Sequence, residues 1–386
     1  MFVSPPSECF HPPMRVDSLT LGAVSDHLIA AWTALVTDAA EPNSFMEHWF
    51  VVPSLAYLGN EAAVRLVAVW CGERLIGLIA ISTSTSYGRI AIRHTVNWQS
   101  VQCFYGAPLI RRGDETQFWT VVLDHLDAAD WAPNFLRVMA IEEHGPAHTG
   151  LLAAAVKRQR ACPTIHRHER AFLSSTLSPD AYLDHALRGK KRKELRRLTH
   201  RLDELGTVTH RRFEADDDLD DWIADFLLLE AAGWKGSEGA AFANTTPSEA
   251  FFRAIIAGAH DANTLDMLRI DVDGRAIAML INFIRPPGSY SFKIAYDETF
   301  ARFSPGVMIE IDNLKSILTD LQVEWMDSCA HENHPMINGL WMERRTLVQV
   351  SVPLKGLKRR IIYGACRLLE SLSASYRNRK TLWSRA

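Results

Sequence analysis

The chain is poor in the features that announce a special environment. Its six cysteines, Cys9, Cys71, Cys103, Cys162, Cys329 and Cys366, lie scattered with no C-x-x-C spacing. That excludes a paired-thiolate zinc site and a disulfide framework, and it fits buried thiols in a reducing compartment. No apolar run reaches the roughly 20 residues of a membrane span. The start, Met1-Phe-Val-Ser-Pro-Pro6, lacks the basic region and apolar run of a secretory signal. A cytoplasmic protein is expected, at most peripheral to the inner membrane. The formal net charge is only −3, so the overall balance calls for neither DNA nor an anionic membrane. No metal is expected.

What the chain does have is apolar content, 47% of 386 residues, enough for two ordinary cores. Residues 1–16, with Pro5, Pro6, Pro12 and Pro13, read as an irregular arm. Helical spacing follows over Leu19–Val36, and a second helix starts after Pro42 with Asn43 or Ser44 as its cap. Val64–Trp70, the turn Cys71–Arg74 and Leu75–Ile81 predict a β-hairpin, followed by a strand near Val96–Cys103, a helix at Thr116–Ala129 and a strand at Phe135–Ile141.

The second half repeats this order. Leu265–Asp271 and Ala276–Phe283 flank Asp273-Gly274, a favoured hairpin turn. A strand at Tyr290–Tyr296, the loop Asp297–Ser304, a helix from Pro305 and a strand at Val323–Asp327 complete it. We therefore expect an internal duplication of two mixed α/β domains, with residues 17–170 as the first and 171–350 as the second. Ser304 suits an N-cap and Pro305 the first helical position. Val307, Ile311, Leu314, Ile317, Leu318 and Leu321 mark the apolar face of that helix. Its N-terminus offers free amides and a positive dipole end to a phosphate or pyrophosphate, although Ser-Pro also starts many helices that bind nothing.

Between the halves, a basic entry helix is expected over 187–205. Eight of the fourteen residues from Arg188 to Arg201 are Lys or Arg, with Leu195, Leu198 and Leu202 on one face. Such a run is either a solvated face or the seat of an anionic partner at 190–197. No aromatic residues interleave it, which argues against RNA. The stretch Glu230–Gly239 places three glycines around Trp234 and Lys235, implying tight backbone. Thr246-Pro-Ser-Glu249 reads as a capping box. A basic helical tail, 351–386, is expected to pack on the second domain.

Asn43–Trp49, Lys190–Arg197, Glu230–Gly239, Phe300–Gly306 and His334–Arg345 together resemble the bacterial GNAT-fold acyltransferases of cellulose and exopolysaccharide biosynthesis, relatives of the Fem-type tandem-GNAT peptidyltransferases. The resemblance spans roughly residues 40–345. It implies tandem GNAT-like domains, each a central mixed sheet flanked by helices, and acyl transfer from acyl-CoA, acetyl-CoA or longer, to an amine. It places the CoA pyrophosphate on Arg302, Phe303, Ser304, Pro305, Gly306 and Val307. This segment departs from the usual Gln/Arg-x-x-Gly-x-Gly/Ala signature, with proline where the first glycine stands and valine at the last position. The first domain, without a comparable helix start at Tyr105–Arg112, is expected to be a degenerate copy.

Amine attack on a thioester needs a proton acceptor, and the oxyanion needs a hydrogen-bond donor. Tyr296, Asp327, His331 and Glu230 are the candidate proton carriers, and Trp234, Lys235, His334, Asn338, Arg344 and Arg345 the candidate substrate contacts. Each also has a plain role as core, loop or ion-pair residue. The leading expectation is an N-acyltransferase acting on an amino sugar or related small-molecule or glycan amine. An aminoacyl-tRNA-dependent Fem-type ligase and a non-catalytic scaffold in polysaccharide synthesis are the competing readings.

Overall fold

The structure, a computed structural model, describes residues 13–59 and 63–383, apart from the side chains of Trp234, Lys235 and residues 372–383. The strands of the first half are β1 Met14–Leu19, β2 Val64–Cys71, β3 Arg74–Ser84, β4 His94–Asn97, β5 Leu109–Ile110, β6 Phe135–Glu142 and β7 Thr164–Leu173. Those of the second are β8 Val208–Arg212, β9 Leu265–Val272, β10 Arg275–Arg285, β11 Gly288–Tyr296, β12 Trp325–Asp327 and β13 Glu343–Pro353. The helices are α1 Asp26–Val36, α2 His48–Pro53, α3 Glu115–Ala128, α4 Pro146–Lys157, α5 Pro179–Ala186 and α6 Gly189–Asp203, then α7 Leu219–Ala232, α8 Trp234–Ser237, α9 Thr246–Asp261, α10 Pro305–Thr319 and α11 Leu357–Trp383. Among the described residues, no helix is long and apolar enough to cross a membrane.

All the strands join one mixed sheet, in the order β1-β2-β3-β4-β6-β13-β7-β12-β11-β10-β9-β8, with β5 paired to β3. Its two flanks mirror each other. β1-β2-β3-β4-β6 matches β8-β9-β10-β11-β12, and each flank contains one parallel pair, β4 with β6 and β11 with β12. Parallel neighbours need a crossover, supplied by α3 in one flank and α10 in the other. The hairpins fall where the alternating sequence puts them, and Asp273 and Gly274 turn with φ of 50° and 78°, as a primed hairpin turn requires.

The middle of the sheet is an exchange. β7, from the end of the first half, pairs with β12 of the second, while β13 pairs with β6 of the first, and the two exchanged strands pair antiparallel from Glu343↔Phe172 to Val350↔Thr164. The borders expected near residues 170 and 350 therefore fall inside β7 and β13. Asp327, at 0% exposure, sits beneath this exchange. Arg170 of β7 reaches it at 2.6 and 2.7 Å and Arg345 of β13 at 3.0 Å. Arg345 also donates to Glu142 of β6 at 2.8 Å and lies 4.2 Å from the Tyr105 ring centre. Burial pushes the Asp327 carboxyl up, but the two guanidiniums hold it below the usual carboxylate range.

A second junction is aromatic. Phe45, Trp49 and Phe50, around α2, pack on the second half, with Phe45 5.2 Å from Tyr290 and Trp49 5.0 Å from Phe283. Glu47 takes Arg285 through both oxygens, at 2.9 and 2.7 Å, and accepts Trp49 Nε1 at 2.8 Å.

Several expectations change. The strand β1 begins at Met14, inside the segment read as an irregular arm, because it pairs along β2; the rest of that arm, residues 1–12, lies outside the described residues. The first helix starts only at Asp26, capped by Ser25. The strand near Val96 stops at Asn97. Thr245, not Thr246, caps α9, and Glu249 pairs with Arg253 instead of closing a box. Leu321 lies past the end of α10 and is fully exposed. The tail helix α11 docks on the first half, where Tyr363 and Cys366 meet Phe135 and Arg359 donates to the Asp127, Ala129 and Ala132 carbonyls.

Asp327→Asn leaves two buried guanidiniums short of their shared counter-charge. Removing one partner of a buried pair costs about 3–5 kcal/mol, and urea unfolding should show a loss of that size with an unchanged m-value.

Candidate active site

β11 and β12 stay paired for three residues, Gly288–Tyr290 against Trp325–Asp327. β12 then ends, the chain turns away through Ser328 and Cys329, the latter left-handed at φ 54°, and Ser291–Tyr296 runs on without that neighbour. The wedge between them is a cavity of about 380 Å³. Lys293, Ile294 and Tyr296 line it from β11, His331, His334 and Met336 from the loop after β12, and Glu310 from α10. Lys293 stands about 5 Å above the rings of Phe104, Phe242 and Phe292, where the ring faces attract its charge.

The start of α10 adjoins this wedge. Glu298–Phe303 is a 3-10 turn, and Ser304 is left-handed at φ 60°, ψ 49°. Contrary to expectation, the Ser304 hydroxyl makes no capping bond; instead its carbonyl accepts the Val307 and Met308 amides at 3.0 and 3.2 Å. A helical residue followed by a left-handed one gathers amides into a concavity of the kind that holds anions. A Cβ at Gly306 would meet the Tyr296 ring at 3.4 Å and Ile294 Cδ1 at 3.8 Å, ordinary contacts, so the fold itself does not demand glycine there. Arg302 is exposed, its guanidinium 4.7 Å over the Phe303 ring. The basic helix α6 packs Leu198 and Leu202 into one cluster with Phe303, Met308 and Ile309, which sets its exposed Lys190, Lys191, Lys193, Arg196 and Arg201 on the same side of the fold as the helix start.

The structure brings Tyr296, His331 and His334 together around the cavity. It does not do so for the others. Asp327 is locked in its arginine cluster with no exposure, and Arg345 is the other half of that lock. Glu230 is buried on α7 and accepts the Phe242 amide at 2.9 Å; it lines a smaller pocket of about 30 Å³ with Gly233, Tyr296 and Glu298. Asn338 donates to the Glu332 carbonyl at 2.6 Å, and Arg344 to the carbonyls of Trp341, Glu343 and Asn338. Both brace the loop that forms the far wall and do not line the cavity. The side chains of Trp234 and Lys235 lie outside the described residues. Among the described residues, no group of His, Cys, Asp or Glu is arranged to hold a metal.

Glu310, like Lys293, is a charged-type lining residue that sequence reasoning missed. It is 4% exposed, and burial pushes its carboxyl up to about 7, against a hydrogen bond from Asn313 that lowers it. Its signal was legible: Gly306, Glu310, Asn313 and Ile317 recur at helical spacing on the buried face of α10, so two polar residues occupy an apolar stripe.

The equivalent gap in the first half is closed. Asn97 Nδ2 donates to Met139 O at 3.0 Å and Gly106 O at 2.9 Å, and the Met139 amide returns a bond to Asn97 Oδ1 at 2.8 Å. The backbone at Gly106 comes so near that a Cβ would sit 2.2 Å from Met139 O.

Residues 189–333 match the family model described as Acetyltransferase (GNAT) domain. The class of chemistry is acyl transfer. The GNAT match holds β11, α10 and β12 and stops one residue short of His334. No curated protein matches the chain. Among solved structures, FemX is similar at 9% identity and TM-score 0.55, over 92% of this chain and 100% of that one. A conserved protein of unknown function from Bacteroides thetaiotaomicron is similar at 12% identity and TM-score 0.52, over 89% and 100%. A tandem GNAT protein from the clavulanic acid biosynthesis pathway is similar at 15% identity and TM-score 0.44, over 89% and 100%. For FemX and the Bacteroides protein the likeness is one of fold.

His334 is half-buried, and burial, then the neighbouring His331, hold its imidazole below the usual histidine value. Its imidazole resonances should titrate with a midpoint below about 6.5; a midpoint at or above that value would contradict the packing described here.

Proposed function

We propose that the chain is an N-acyltransferase that moves an acyl group from acyl-CoA to an amine, the acceptor being an amino sugar or a related intermediate of bacterial exopolysaccharide or cell-surface assembly. The observation that carries the reading is the wedge where β11 outruns β12, with the α10 N-terminus beside it. Arg302–Val307 would hold the pyrophosphate through amides and dipole, with the unpaired edge of β11 as a source of N–H donors for the oxyanion. The amine nitrogen bonds to the thioester carbon, the C–S bond breaks, and the thiolate takes a proton. Of the candidate proton carriers, Tyr296 and His331 reach the cavity and would relay a proton to the departing thiolate, with His334 a substrate contact. The first half, its own gap stitched by Asn97, shapes the acceptor side. The amino-sugar acceptor rests on the motif resemblance alone.

A second reading, transfer from aminoacyl-tRNA, is favoured by the exposed basic face of α6 on the side of the α10 start. One experiment separates the two. Calorimetry should show saturable binding of acetyl-CoA, lost in Gly306→Glu, whose carboxylate would occupy and repel the pyrophosphate site. No acyl-CoA binding, together with salt-sensitive binding of tRNA, would overturn the first reading in favour of the second.

A further inference from the structure

Glu310 does not stand alone. A chain of buried polar side chains crosses from the outer edge of the second half to the cavity. Arg212 pairs with Asp266. Asp266 Oδ2 accepts from Asn282 Nδ2 at 2.8 Å, and the same amide donates to Asn313 Oδ1 at 2.9 Å. Asn313 Nδ2 then donates to Glu310 Oε2 at 3.2 Å. Asp266 and Glu310 are each 4% exposed, and Asn282 and Asn313 are at 0%.

The direction of these bonds is dictated by chemistry. An ionised aspartate only accepts, so Asn282 turns its amino group toward it. The second hydrogen of that group takes Asn313 Oδ1, and the Asn313 amino group is left to face Glu310. The carboxyl of Glu310 is thereby held as an acceptor through Oε2, while Oε1 takes no part in the chain and the residue lines the cavity. Packing alone would not select this arrangement. Buried polar groups are unfavourable unless every partner is in place, and apolar residues of similar shape would serve a core as well. A connected polar chain ending on a carboxyl at the wall of a reaction cavity is the arrangement that fixes a proton acceptor.

We propose that Glu310 accepts the proton of the attacking amine, and that Asn313, Asn282 and Asp266 are positioning residues that orient its carboxylate. This rests on the acyl-CoA reading above. The ammonium form of the acceptor gives one proton to Glu310 and attacks as the amine. The second proton leaves the new amide nitrogen as the C–S bond breaks, and CoA departs as the thiol. Burial places the Glu310 carboxyl at about 7, so it is partly ionised at neutral pH and a competent base. The other titratable groups lining the cavity are Lys293 and Tyr296 on β11, and Cys329, His331 and His334 after β12.

The test uses the full chain with acetyl-CoA and glucosamine, following thiol release, and calorimetry with acetyl-CoA alone. Glu310→Gln keeps the Asn313 bond and should bind acetyl-CoA as the parent does, yet react on the order of 100-fold or more slowly. Its rate should lose the acidic limb centred near 7. Asn313→Ala should move that limb upward, since the lost hydrogen bond had lowered the Glu310 value; a purely structural role would leave it in place. Carboxyl ¹³C NMR of the parent gives a reading independent of acceptor and of variant folding, with Glu310 titrating near 7. Parent-like turnover in Glu310→Gln, or titration of Glu310 near the ordinary glutamate value, would overturn the proposal while leaving acyl-CoA binding intact. A parent that fails to bind acetyl-CoA would overturn the acyl-CoA reading itself, and with it this role.

Discussion

The exchange of β7 and β13 between the two halves is the constraint on which the rest depends. Each flank of the sheet completes its inner edge with a strand from the other half, so neither presents an open edge there. The same exchange brings Arg170 and Arg345 onto Asp327. A buried charge of this kind is tolerated only when its partners arrive with correct geometry, and here they arrive on two strands from different parts of the chain. Asp327 is the last residue of β12. The cluster therefore fixes where β12 stops, and the place where it stops opens the wedge against β11.

From that opening the asymmetry of the two halves follows. Both flanks have a parallel pair bridged by a helix, and both splay where the pair ends. In the first, Asn97 bonds across the splay and the chain at Gly106 fills it. In the second, the splay stays open and gains polar walls. The two halves thus share a topology while one contributes a cavity and the other a packed support, joined by the aromatic junction around Phe45 and Trp49.

Much of this was legible in the residues. Period-two alternation and Asp273-Gly274 identified the second hairpin. Leu195, Leu198 and Leu202 marked the buried face of α6, and Pro305 marked the start of α10. The exchange was not legible: β7 reads Thr-Ile-His-Arg-His-Glu-Arg-Ala-Phe-Leu, without apolar alternation, and neither it nor β13 stands among the expected strands. Nor was the fate of Asp327 and Arg345. An aspartate closing an expected strand and an arginine in the His334–Arg345 stretch look alike whether they face solvent or each other, and only the register of β7, β12 and β13 decides. Ser304 misled for a local reason: Ser before Pro fits an N-cap, but a 3-10 turn just ahead forces the left-handed conformation and turns its carbonyl, not its hydroxyl, to the helix. Glu310 is easy to pass over in the sequence because the apolar period of α10 is complete without it, and a glutamate in a helix ordinarily faces solvent.

On the proposed reading, the wedge of the second half receives the acyl donor and the stitched gap of the first half does not. A crystal structure of the full chain grown with acetyl-CoA tests it most directly. The pyrophosphate is expected on the amides around Gly306 and Val307, with the thioester between β11 and the His331–His334 loop. CoA bound in the first half between β4 and β6, or excluded from the β11–β12 wedge, would contradict it.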